Sequence, residues 1–84
     1  MTMPFDEQTS LQALLDFLAS EFNLSDVDPD EPIFSAGLLD SFSLVQVAAF
    51  IAEKLQVTIP TKDLTVAKMD RPRQMIETAS RHAK

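Results

Sequence analysis

The feature that most constrains the fold is the spacing of apolar residues in two segments, residues 10–22 and 41–55. In each segment, apolar side chains recur every three or four residues, which is the repeat of one face of an α-helix. The first set is Leu11, Leu14, Leu15, Leu18 and Phe22, and the second is Leu44, Val47, Ala48, Ile51 and Leu55. The spacing predicts two amphipathic helices, and the fold has to bury both apolar faces.

Residues with capping chemistry mark the ends of these two helices. Thr9 and Gln12 have the spacing of a capping box, so we predict that they start the first helix, at residue 10. Asn23 follows the last apolar residue of that helix and is suited to a left-handed end. Asp40 is suited to cap the second helix, which then begins at Ser41.

The rest of the chain predicts one short and one longer helix. Apolar and polar side chains alternate briefly over residues 57–60, and the alternation ends at Pro60. This indicates an extended connector rather than a sheet. Residues 61–69 predict one short helix, and Asp70 is expected to cap a last helix with Pro72 in its first turn. The expected core face of this last helix is Met75, Ile76 and Ala79. We therefore predict an all-α fold, a small four-helix bundle of three main helices and one short helix.

A long loop is predicted between the first two helices. Residues 23–40 contain Pro29, Pro32, the only glycine of the chain and a run of acids, which is loop chemistry. Ile33, Phe34, Leu38 and Leu39 are expected to pin this loop to the core, and Gly37 is expected to adopt a positive φ. The prediction is one domain over residues 1–84, with residues 1–8 and 82–84 flexible.

Charge is unevenly distributed along the chain. The first 40 residues contain nine acids and no Lys or Arg, whereas the rest contain four acids and seven bases, for a net charge of −6. A protein with a negative net charge repels nucleic acid and anionic lipid, so neither is an expected partner. The acidic half has two interpretations, a solvated surface or a docking surface for a basic partner.

Signals for export or membrane insertion are not expected in this chain. No apolar stretch approaches the roughly 20 residues that a membrane span needs. The N-terminal residues lack the basic and apolar regions of a secretory signal. The expected compartment is therefore the cytoplasm.

Catalysis and metal binding are disfavoured by the residues that the chain lacks. It has no Cys, and its only His, His82, is near the chain end and about forty residues from Ser41. A single Gly excludes a glycine-rich phosphate loop. We therefore expect neither an enzyme nor a metal site.

Ser41 has two interpretations, a plain serine at a helix start or a substrate for another enzyme's chemistry. As the first residue of the second helix, it is expected to expose its hydroxyl beside unpaired N–H groups and the positive end of the helix dipole. A phosphodiester attached there has favourable electrostatics. The Asp40 carboxylate opposes that charge, but it can help to hold a divalent metal carried by a modifying enzyme.

The segment "GLLDSFSLVQ", residues 37–46, resembles the Asp-Ser signature of acyl carrier proteins and peptidyl carrier domains. The likeness extends to the opening amphipathic helix, the acidic loop, the connector and the closing helix. It implies that a phosphopantetheinyl transferase attaches 4′-phosphopantetheine from coenzyme A to Ser41, supported by Asp40. It also implies a non-catalytic monomer that carries acyl or aminoacyl groups as thioesters, loaded by a ligase and passed to a transferase or synthase.

The resemblance also suggests which residues contact partners. Phe42, Val45 and Ala49 match the partner-contact positions of the second helix. Leu38 and Leu39 match the loop positions that flank the attachment point, and Leu39 is the one predicted to touch partners. The other interpretation is that Val45 and Ala49 widen the core and that Leu39 packs inside.

One departure from the family pattern bears on the cargo. Carriers in fatty-acid synthesis usually have several acids along the second helix, whereas this helix has only Glu53, followed by Lys54. Electrostatic steering through this helix should therefore be weak. The segment also looks like that of D-alanyl and other aminoacyl carriers, which favours a specialised carrier over the housekeeping carrier of fatty-acid synthesis and leaves the cargo open. The alternative function is an unmodified helical protein–protein interaction module.

Overall fold

The computed structural model describes residues 6–83, which form an all-helical arrangement without strands in that range. The helices are α1 (Glu7–Phe22), α2 (Ser41–Lys54), α3 (Val66–Met69) and α4 (Pro72–His82), with a single 3-10 turn at Thr61–Asp63. The prediction of three main helices and one short helix is confirmed. The expectation of flexible ends falls partly on residues 1–5 and 84, which lie outside the described residues.

The start of α1 differs from the prediction. The helix begins at Glu7, three residues early, because Asp6 accepts hydrogen bonds from the backbone N–H groups of Gln8 and Thr9 at 3.0 and 3.3 Å. The predicted Thr9–Gln12 capping box is wrong, since Thr9 lies inside the helix and donates its hydroxyl to Asp6 at 2.7 Å. A carboxylate that satisfies two free amides outcompetes a hydroxyl that can satisfy one.

The end of α1 and the bounds of α2 follow the sequence closely. Asn23 adopts the left-handed conformation, with φ 57°, as predicted. α2 begins at Ser41 with Asp40 as its N-cap and ends at Lys54, one residue before the predicted end.

The core collects one face of each main helix together with the loop. Within residues 6–83 the buried apolar side chains are Leu14, Leu18, Ile33, Phe34, Leu39, Leu44, Val47, Ile51, Val57, Ile59, Met69, Met75, Ile76 and Ala79. α1 and α3 both pack against α4. The residues predicted to face the core from α4 are all buried, and Pro72 occupies the first turn of that helix as expected.

The loop between α1 and α2 is pinned by apolar side chains, as predicted for Ile33, Phe34 and Leu39 but not for Leu38. The first three are buried, whereas Leu38 is 45% exposed. Gly37 has φ 83°, a conformation that side chains rarely adopt, which explains the only glycine of the chain. The connector before the 3-10 turn contains neither helix nor strand over residues 56–60, and it buries Val57 and Ile59.

Asp70 is not the N-cap of α4, which corrects the prediction. The capping position is Arg71, and the Gln74 side chain accepts from the backbone N–H groups of Asp70 and Arg71 at 3.0 and 3.4 Å. The Asp70 carboxylate turns instead to the loop, where it accepts three hydrogen bonds from Phe34 and Ser35. Two loop amides and the Ser35 hydroxyl give this carboxylate three hydrogen bonds, and hydrogen bonds to a charged group are stronger than neutral ones.

No helix among residues 6–83 has the length and apolar character needed to cross a bilayer.

Candidate functional site

Ser41 lies where the sequence predicted it, as the first residue of α2, and its side chain is exposed. Within residues 6–83, its hydroxyl has no hydrogen-bond partner. The first hydrogen bond of the α2 helix runs from the Leu44 N–H to the Asp40 carbonyl, at 3.2 Å. The backbone N–H groups of Ser41, Phe42 and Ser43 therefore have no acceptor within the helix. They lie at the same end of the helix as the Ser41 hydroxyl.

Asp40 holds this helix start in place. Its Oδ1 accepts hydrogen bonds from the Ser43 backbone N–H at 2.9 Å and the Ser43 hydroxyl at 3.0 Å. The bond from the Ser43 amide, followed by the bond from the Ser43 hydroxyl, lowers the pKa of Asp40 below its ordinary value. The carboxylate is therefore ionised at neutral pH and committed to Ser43, while the neighbouring Ser41 hydroxyl stays accessible.

The residues present fit an attached phosphodiester at Ser41. An anion at this position lies at the N-terminus of a 14-residue helix. The positive end of the helix dipole and the N–H groups of the first turn, which have no acceptor within the helix, stabilise negative charge there. The Asp40 carboxylate is the opposing charge, and its two bonds to Ser43 hold it on the helix start.

Exposed apolar side chains follow Ser41 along α2. Phe42 is 70% exposed and Val45 62% exposed, and Ala49 continues the same exposed face of α2. The interpretation that Val45 and Ala49 widen the core is therefore wrong. We call Phe42, Val45 and Ala49 the exposed face of α2.

The loop contributes a different leucine from the one that the sequence suggested. Leu39 is only 9% exposed and packs in the core, so its burial does not support the predicted partner contact. Leu38 is 45% exposed, and Val66 on α3 is 42% exposed. Sequence reasoning missed both as surface residues, because an apolar residue in a loop or short helix carries no periodicity that tells inside from outside.

An open groove between α1 and α2 adjoins the exposed face of α2. Its lining includes Ala49 and Phe50 on α2 and Phe17 on α1. The Phe17 and Phe50 rings are stacked, with centroids 4.3 Å apart. The carboxylates of the groove are those of Asp16, Glu21 and Glu53.

His82 is engaged at a different place in the molecule. Its Nε2 lies 2.7 Å from Asp63 Oδ2, and the Lys68 ammonium lies 2.7 Å from Asp63 Oδ1. The hydrogen bonds from Lys68 and then His82 lower the pKa of Asp63 to about 2. The imidazole thus joins the end of α4 to the 3-10 turn and is not a base for Ser41. Among residues 6–83, no group of three or more His, Cys, Asp and Glu side chains is placed to hold a metal ion.

Two comparisons with known proteins give matches that cover most of the chain. A family model described as "Phosphopantetheine attachment site" matches residues 5–77. The D-alanyl carrier protein of Lactobacillus helveticus (strain DPC 4571) is 32% identical over 71 residues, which is 84% of this chain and 87% of the relative. No solved structure gives a significant match.

Proposed function

We propose that this chain, which belongs to the phosphopantetheine attachment family of acyl and peptidyl carrier proteins, is primed at Ser41 and carries acyl or aminoacyl groups between partner enzymes. The observation that carries the proposal is the exposed Ser41 hydroxyl at the N-terminus of α2. The family match spans this position without naming the modified residue, so the assignment to Ser41 is supported by the Asp-Ser signature at residues 40–41 and by the exposure of the hydroxyl.

The attachment step uses the Ser41 hydroxyl as a nucleophile. Its oxygen attacks the phosphorus of coenzyme A that bears the pantetheine arm, and the bond from that phosphorus to the 3′,5′-ADP leaving group breaks. The transferase supplies Mg²⁺ and the base that takes the hydroxyl proton. The carrier supplies an exposed oxygen and a helix end that stabilises the new phosphodiester.

Once attached, 4′-phosphopantetheine supplies a terminal thiol that holds cargo as a thioester, which the chain's own residues cannot do because it has no Cys. Attachment through a flexible arm raises the effective concentration of cargo at each partner's active site. In this proposal the carrier works as a monomer in the cytoplasm, with a loading ligase and an acceptor transferase or synthase.

Partners are proposed to dock on the exposed face of α2. Phe42 is its anchor, because an exposed aromatic ring beside the attachment point can be buried by a partner at little cost in conformational entropy. Leu38 is the proposed partner contact in the loop, in place of Leu39, because Leu38 is exposed and Leu39 is not.

The modification is tested by intact mass after incubation with coenzyme A, Mg²⁺ and a broad-range phosphopantetheinyl transferase. The wild-type chain should gain one phosphopantetheinyl group, and Ser41→Ala should gain none. Ser43→Ala is the matched control, because Ser43 lies in the same helical turn but is buried against Asp40. Loss of the addition in Ser43→Ala but not in Ser41→Ala would place the site elsewhere.

The alternative is an unmodified helical interaction module that uses the same exposed face. It predicts no mass addition with several transferases, although the chain is folded by circular dichroism. That result would overturn the carrier proposal in favour of the module.

The proposed cargo is an aminoacyl group, with D-alanine as the first candidate because the curated relative is a D-alanyl carrier protein. The test treats the chain purified from its native cells with hydroxylamine and identifies the released hydroxamate by mass. An aminoacyl hydroxamate supports the proposal, and a fatty acyl hydroxamate would contradict it.

A further inference from the structure

Asp70 makes an unusual set of contacts across the fold. Its Oδ1 accepts the backbone N–H groups of Phe34 and Ser35, both at 2.9 Å, and its Oδ2 accepts the Ser35 hydroxyl at 2.7 Å. The Asp70 carbonyl also accepts the Ile33 N–H at 2.9 Å. One residue at the junction of α3 and α4 thus binds three consecutive residues of the loop, about 35 positions earlier in the chain.

The bound loop residues lead directly to the attachment site. The Ile33 carbonyl accepts the N–H groups of Leu38 and Leu39, each at 3.0 Å, and the Phe34 carbonyl accepts the Gly37 N–H at 3.0 Å. Asp40, the cap of α2, follows immediately. A continuous series of hydrogen bonds therefore connects Asp70 to the segment that enters Ser41.

Further contacts of the α3–α4 junction bind the earlier part of the loop. Arg71 Nε donates to the Asp30 carbonyl at 3.0 Å, and Arg73 Nε lies 2.9 Å from Asp30 Oδ1. The Arg73 N–H donates to the Pro29 carbonyl at 2.8 Å. Asp70 differs from these two arginines because its bonds involve the segment next to the attachment site.

We propose that Asp70 is a positioning residue for priming, because it holds the loop that carries Leu38 and leads into Ser41 against the α3–α4 junction. This inference rests on the proposed attachment at Ser41. Leu38, three residues before Ser41 in this loop, and Phe42, directly after Ser41 on α2, are both exposed. A transferase meets the two side chains together only if the loop and α2 keep their relative positions. Asp70 does not touch the reacting atoms and acts through the loop.

The polarity of the Asp70 site supports this role. Burial raises the pKa of Asp70, but the hydrogen bonds from Ser35 and from the Phe34 amide outweigh it and lower the pKa overall. The carboxylate is therefore ionised at neutral pH, and charge-assisted hydrogen bonds of this kind are stronger than neutral ones.

The test compares priming by a broad-range phosphopantetheinyl transferase in Asp70→Ala, Asp70→Asn and Ser35→Ala. We expect the KM for the carrier to rise about tenfold in Asp70→Ala with kcat little changed, because the lost bonds organise the surface and not the reaction. Asp70→Asn keeps one oxygen for the two amides and should recover part of the loss. Ser35→Ala removes only the hydroxyl bond and should show the smallest rise.

Asp6→Ala is the matched control. Like Asp70, Asp6 accepts three hydrogen bonds, from two backbone N–H groups on Oδ1 and from a threonine hydroxyl on Oδ2. All three come from the first turn of α1. Its loss should lower the unfolding temperature without changing the KM for priming. All rates are measured below the unfolding transition of each variant, and the amide signals of Phe34 and Ser35 are followed by NMR.

The outcomes separate this inference from the proposed function. An unprimed wild type would overturn the assignment of Ser41 and leave nothing for Asp70 to position. A primed wild type with unchanged KM in the folded Asp70 variants would overturn the positioning role alone, as would a KM rise of equal size in Asp6→Ala. If Asp70→Ala does not fold, the same comparison is made with Asp70→Asn and Ser35→Ala, where an unchanged KM in both contradicts the proposal.

Discussion

Two faces of α2 have similar apolar side chains and opposite surroundings. Leu44, Val47 and Ile51 are buried in the core, whereas Phe42 and Val45 are 70% and 62% exposed. The inner face is covered by the rest of the fold, and no element of the described residues covers the outer one. The comparison teaches that apolar character in this helix has two uses, stability on one face and, in our proposal, recognition on the other.

The largest expected effect comes from the inner face. Ile51→Ala should lower the free energy of unfolding by about 2–5 kcal/mol, because a fully buried side chain leaves a cavity in a small core. Urea unfolding followed by circular dichroism measures this loss. A loss below about 1 kcal/mol would show that the inner face tolerates cavities and would break the comparison.

The sharpest comparison uses two valines on the same helix. Val47 is fully buried and Val45 is 62% exposed, so the same substitution probes both faces. Val47→Ala should cost about 2 kcal/mol through lost burial and cavity formation. Val45→Ala should be neutral or stabilising by up to about 0.5 kcal/mol, because alanine is the better helix former. Similar losses at both positions, measured by urea unfolding, would contradict the assignment of the faces.

Phe42→Ala should separate recognition from stability. We expect the free energy of unfolding to change by less than about 0.5 kcal/mol, since the ring is exposed. The KM for priming should rise about tenfold if this ring anchors the transferase. Phe50→Ala is the control on the same helix and should destabilise the fold, because Phe50 stacks on Phe17. A normal KM in Phe42→Ala would exclude this ring as the transferase anchor.

Asp40→Ala tests the N-cap of α2, which precedes both faces of the helix. The lost cap should cost about 1 kcal/mol of stability, because the bonds from Ser43 disappear. Priming should fall further than that loss explains, by about tenfold in a variant that is still folded, because the first turn then presents Ser41 less uniformly. Wild-type priming rates in the folded variant would make Asp40 purely structural.

The smallest expected effect is the acid dependence of stability, which neither apolar face can produce. The folded-state pKa of Asp63 is about 2 against an ordinary 3.8, so the fold favours the ionised form. Its contribution is present above pH 3.8 and is lost as the pH falls towards 2. The unfolding temperature of Asp63→Asn should therefore fall less steeply than that of the wild type over this range. Val45→Ala should keep the wild-type slope, and an equal slope in Asp63→Asn would assign the acid dependence to other carboxylates.

Local features of the chain predicted the candidate site well. The position of Ser41, its cap by Asp40 and the positive φ of Gly37 all depend on residues within a few positions of one another. Such features are readable because side-chain capping and glycine conformation are short-range properties. The start of α1 was missed because two capping signals lie close together there, and the stronger acceptor, Asp6, prevails.

The sequence by itself determined the helical class, the bounds of α2 and the placement of Ser41 at its start, because periodicity and caps act over one or two turns. Only the tertiary structure decided that Leu38 is exposed and Leu39 buried, that Asp70 binds the loop rather than capping α4, and that His82 meets Asp63. Each of these depends on residues that are distant in the chain or on which neighbour covers a side chain. Local chemistry cannot specify either, because burial and long-range pairing are settled only when the whole core assembles.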